Sequence, residues 1–113
     1  MNQRSLRERY IQMNWTQQLG NLASTAARLS SRCTRPEHDA LVVHLLREAA
    51  LMIEWSAPHV APALHPDLAA MQREVLAWGH CWPLDPARPL LALRARQMSD
   101  ALLRMARLDQ PAQ

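Results

Sequence analysis

Between Trp15 and Cys33 the apolar residues recur as Trp15, Leu19, Leu22, Ala26, Leu29 and Cys33, in alternating steps of four and three. That spacing draws one stripe down a helix of 3.6 residues per turn, so it predicts an amphipathic helix with a core-facing side. Two later stretches share the period. One is Leu68, Met71, Val75 and Trp78, with Trp82 beyond it; the other is Leu91, Ala95, Met98, Leu102 and Met105. Alternation of the kind a strand needs never lasts more than a few residues. Prolines fall in clusters, at Pro36, at Pro58, Pro62 and Pro66, and at Pro83, Pro86 and Pro89, and divide the chain into four segments. The pattern predicts an all-α fold, an up-down antiparallel four-helix bundle in one domain over 1–113. Its helices are expected near 5–33, 35–57, 66–80 and 86–108.

Local signals refine those ends. Ser5 with Glu8, and Thr34 with Glu37, have the spacing of a capping box, and Pro36 suits a first helical turn. Pro58 disfavours helix at the residue before it, which sets the end of the second helix at or before Ala57. Asp85 followed by Pro86 predicts a capped start for the last helix. The first segment carries one irregularity, because Leu6, Tyr10 and Met13 lie on a different face from the main stripe. Either the helix breaks near Asn14, which could cap a new helix with Gln17, or those residues make a separate contact. Gly20, Ala23 and Ala27 leave part of the surface small enough for a neighbouring helix to come close.

The second helix is apolar on two sides. Val42, Leu46, Ala49 and Ile53 form one stripe; Leu41, His44, Glu48, Leu51 and Trp55, with Met52 beside them, form another roughly opposite. Arg47 and Glu54 occupy a narrow polar strip between. A helix of a monomeric bundle buries about one stripe of this kind, so the second face is surplus, and in water it would make a large apolar patch. It is expected to meet a second copy in a homodimer, to be covered by Leu6, Tyr10 and Met13, or to meet another partner.

Composition narrows the class. At 113 residues and 49% hydrophobic, the chain can bury a core without staples, and it is not expected to be disordered. No run of 18 apolar residues exists and MNQRSLRERY has no apolar signal core, so a soluble, cytoplasmic protein without a membrane segment is expected. Two cysteines are too few for a disulfide framework. All 13 basic residues are arginine, but they are spread from Arg4 to Arg107 among 10 acids. A net charge of +3 gives little pull on a polyanion, which argues against nucleic acid as the partner.

Candidate chemistry is sparse. In an up-down bundle the first and third connections share an end, which would gather Cys33, His38, His80 and Cys81, a legitimate zinc set whose spacing matches no standard finger. Glu-x-x-His pairs for a di-iron bundle, Gly-rich phosphate loops and a Gly-x-Ser-x-Gly elbow are all missing from the sequence. Arg73 and His80, within REVLAWGH, project from one face of the third helix. In spacing they resemble the Arg-x(4–6)-His motif of HEPN-type helical ribonucleases, small helical bundles in which the pair faces a cleft between protomers and acts on RNA. The resemblance covers those two residues and the general architecture; RCTRPEH, from Arg32 to His38, fits the same pattern. The expectation is a small non-enzymatic interaction or adaptor protein, homodimeric and without a cofactor. Its alternative is an RNA-directed module using Arg73 and His80.

Overall fold

The structure is a computed structural model that describes residues 3–107. Among them the chain forms five α-helices: α1 (Gln3–Ile11), α2 (Trp15–Arg32), α3 (Asp39–Ser56), α4 (His65–Cys81) and α5 (Arg88–Arg107). Short 3₁₀ turns at Pro36–His38, Ala57–His59, Pro62–Leu64 and Asp85–Ala87 each carry a proline in their first two positions, where its missing N–H costs nothing.

The expected first helix over 5–33 is two helices. Asn14 breaks it: its Oδ1 accepts from the Gln17 N–H at 2.8 Å, and Gln17 Oε1 accepts in return from the Asn14 N–H at 3.2 Å. This reciprocal capping box starts α2 afresh at Trp15. Ser5 lies inside α1, which is already helical from Gln3, and not at its start. The Thr34–Glu37 signal also misplaces its helix. Pro36–His38 is a 3₁₀ turn without a side-chain cap, and α3 begins at Asp39. Asp85 likewise leads into a 3₁₀ turn, because its carboxylate is bound to the Arg88 guanidinium.

α5 packs along α2, α2 against α3, and α3 against α4, while α1 lies on α3. The α2–α5 register is written in polar contacts. Ser99 Oγ donates to the Ala23 carbonyl at 2.9 Å, Ser30 Oγ to the Ala92 carbonyl at 2.7 Å, and Cys33 Sγ lies 3.8 Å from the Arg88 carbonyl. Rising along α2 means descending α5, so the pair is antiparallel. A hydroxyl reaches a carbonyl of the next helix only where both surfaces are small, here Ala23, Ala26, Ala92 and Ala95. Gly20 plays no part in that approach, since nothing lies within 4 Å of where its Cβ would stand. α3 and α4 run antiparallel too: Gln72 Nε2 donates to the Ala50 carbonyl at 3.1 Å, and Gly79 faces Leu46. The α4–α5 edge is bridged by Arg94, whose Nε and Nη2 donate to both oxygens of Glu74 at 2.7 and 2.6 Å.

The core follows the stripes. Leu19, Leu22, Ala26, Leu29 and Cys33 are buried on α2, Leu68, Met71 and Val75 on α4, and Leu91, Ala95, Met98, Leu102 and Met105 on α5. On α3 the burial extends beyond Val42, Leu46, Ala49 and Ile53 to Leu45, Ala50 and Met52. Neighbours on three sides explain the breadth: α2, α4 and α1 each take a part of this helix. Among the described residues no helix is long and apolar enough to cross a membrane.

Two substitutions probe this packing. Leu46→Ala or Ile53→Ala should each cost about 2–5 kcal/mol in urea unfolding, as a core cavity opens. Gly20→Ala should stabilise by about 0.5–1 kcal/mol, since it removes glycine's entropy from a helix interior and meets open space. Destabilisation there would show that a neighbour approaches α2 at this point after all.

Candidate functional site

The outer stripe of α3 is split between two neighbours. Its C-terminal half is covered by α1. The Tyr10 ring is tilted by 54° against Trp55 at 5.9 Å between centroids, and Tyr10, Leu6 and Met13 line a crevice of about 180 Å³ that reaches Met52. Met52, expected on an external seam, is buried inside the chain with its sulfur 3.8 Å from the Thr25 hydroxyl. α1 is fastened by two bonds across the break: Tyr10 Oη donates to the Gln18 carbonyl at 2.8 Å, and Gln18 Nε2 donates to the Tyr10 carbonyl at 3.1 Å. Burial pushes the Tyr10 hydroxyl well above the usual phenol range, so it stays a donor at any physiological pH. Leu41 is half-buried against the core, and Trp55 keeps part of its surface outside.

On its other flank α3 meets α4 across a groove of about 500 Å³. Buried Leu46, Ala50 and Val75 make its floor, with Gly79 thinning one wall. Val43, Leu51 and Leu76 make its apolar sides, and Arg47, Glu54, Gln72 and His80 its polar rim. Leu76 stands out because 54% of it faces water although it sits mid-helix beside other apolar groups. His44 and Glu48, one turn apart and further along α3, form a surface pair at 2.8 Å. His80 therefore lies in the groove; Arg73 is exposed and lies outside its lining. The spacing that placed both on one helix did not bring them to one cleft.

The end of the molecule where an up-down bundle would have gathered a zinc set is organised by an arginine that sequence reasoning passed over. Connections one and three do meet there. The Arg88 side chain, 8% exposed, donates through Nη1 and Nη2 to the two oxygens of Asp39 at 2.8 and 3.0 Å. Its Nε donates to Asp85 at 2.9 Å and its Nη1 also to the Cys33 carbonyl at 3.0 Å, while the Trp82 ring covers it at 5.3 Å. Trp82 Nε1 donates to Asp39 Oδ1 at 3.0 Å. These donors, with Arg88 first among them, hold the Asp39 carboxyl below the usual range.

Cys33, His38, His80 and Cys81 are not gathered. Cys33 is buried, and that burial raises its thiol above the ordinary range. His38 closes the turn before α3, and Cys81 is exposed at the end of α4. Among the described residues no three His, Cys, Asp or Glu side chains stand close enough to hold a metal ion. Arg94 on α5 is paired with Glu74 at 2.6 Å. Compared with family models, curated proteins and solved structures, the chain matches none.

The clamp predicts a pH signature. A carboxyl held below its unfolded value of about 3.9 stabilises the fold fully above that pH and loses its contribution as pH falls through the lower folded value. Asp39→Asn should therefore lower the melting temperature at pH 7. Between about pH 5 and pH 3 its melting temperature should also fall less steeply than that of the wild type. Parallel melting curves across that range would place Asp39 outside the acid response.

Proposed function

We propose that the chain is a non-enzymatic interaction module that self-associates through the exposed face of α3 and its groove with α4. In this reading α2–α5 make an up-down four-helix bundle, and α1 is a strap across one side of it. The observation that carries the proposal is the groove itself. Leu51 and Leu76 bring apolar surface to the outside of two packed helices, in a concavity wide enough for side chains and rimmed by charges of both signs. A hydrophobic centre inside a polar rim is the anatomy of a protein interface. Closed two-fold dimers are the commonest way to cover such a surface. Support for an RNA-directed role through Arg73 and His80 is weaker, since only His80 reaches the groove.

The test is the oligomeric state. Wild-type protein should sediment as a dimer at micromolar concentration, and Leu51→Asp, which places a carboxylate where it would have to be dry and unpaired, should give a still-helical monomer. A wild-type monomer would overturn self-association. A Leu51→Asp variant that dimerises like the wild type would remove this face from the contact.

A further inference from the structure

Granted self-association through this face, the charges beside Leu51 determine how two copies would meet. Arg47 and Glu54 are seven residues apart, two turns of α3, which places them on one side of the helix about 10 Å from each other along its axis. Both are exposed. Among the described residues neither has an ion-pair partner, although Glu54 shares a shallow crevice with Arg7 and His59. Leu51 sits between them at the edge of the groove, above the buried Ala50 of its floor, with Leu76 across it on α4. The sequence along this strip thus reads cation, apolar centre, anion.

We propose that two copies pair α3 against α3, antiparallel, across a two-fold axis beside Leu51, so that Arg47 of each copy faces the partner's Glu54. The pattern is complementary to itself only in that direction. A two-fold axis perpendicular to the helices reverses one of them, which sets position 47 over position 54 twice and brings both Leu51 side chains to the centre. Parallel pairing sets Arg47 over Arg47 and Glu54 over Glu54, two repulsions in an apolar setting. His44 and Glu48 contact one another at 2.8 Å within each copy and lie outside the lining of the groove. Leu76 from each α4 closes over the flank of the facing helix and covers the apolar surface that the monomer leaves in water.

The inference rests on the self-association proposed above, and charge exchange separates the two. Arg47→Glu and Glu54→Arg are exchanges between good helix formers on an exposed face, so both variants should keep the wild-type circular dichroism. Each alone creates two like-charge contacts in its homodimer and should raise the dimer Kd by roughly tenfold or more. An equimolar mixture of the two variants should dimerise with near wild-type affinity, because in the heterodimer both contacts are again of opposite sign. The double variant R47E/E54R should recover the homodimer by the same logic. Sedimentation velocity with one variant fluorescently labelled reads all four cases. If the wild type dimerises and the single variants match it, or if mixing them restores nothing, this antiparallel pairing is overturned while self-association stands. A wild-type monomer overturns both, and leaves the groove to a partner of another sequence.

Discussion

The enclosed guanidinium of Arg88 governs the architecture. A charge taken out of water needs its hydration replaced by partners in fixed positions, and removing any one of them leaves a penalty that the remaining contacts do not cover. Here the replacements come from three places in the chain: the Cys33 carbonyl at the end of α2, Asp39 at the start of α3, and Trp82 with Asp85 in the connection from α4. Satisfying one side chain therefore fixes where three helices begin or end. The remaining lengths of α2 and α5 follow from it, since Ser30 and Ser99 find their carbonyls only in the register that Arg88 sets at its end.

The same constraint explains what was and was not legible in the sequence. Helices with a single apolar stripe were legible: every apolar position named for α5, and all but Trp15 on α2, is buried. Single-helix signals that compete with tertiary partners were not. Asp85 has the residue type and the proline of a cap, yet its carboxylate is worth more to a buried cation than to a helix N–H. Thr34 has cap spacing, but the helix it should open starts at Asp39, the residue that Arg88 holds. No periodicity marks a buried arginine as different from twelve others, and nothing short of the fold brings residues 33, 39, 82 and 88 together.

The candidate face was half legible. That α3 had more apolar surface than one neighbour could use followed from Leu41, Leu51, Met52 and Trp55 alone. A break at Asn14 and cover by Leu6, Tyr10 and Met13 were among the alternatives the sequence offered, but choosing between them took the fold, in which a three-residue interruption at Gln12–Asn14 decides how the surplus is shared. By ending α1 there, the Asn14–Gln17 capping box lets Tyr10 turn back onto Trp55, which removes Met52 from the outside and leaves Leu51 on it. The groove wall supplied by Leu76 was out of reach for a further reason: no spacing within α4 tells which side of it α3 will occupy.

The attachment of α1 has a consequence for how the molecule opens. The other helices are held along much of their length, whereas α1 rests on α3 through few side chains and is tied to α2 by the Tyr10–Gln18 pair of hydrogen bonds. Free energies of local opening scale with the contacts an opening must break. The amides of α1 should therefore exchange with solvent deuterium by a partial opening that leaves the Arg88 end intact, while those of central α2 should wait for global unfolding. That difference in attachment would divide a chain of 113 residues into two levels of cooperativity, with the boundary between them at Asn14.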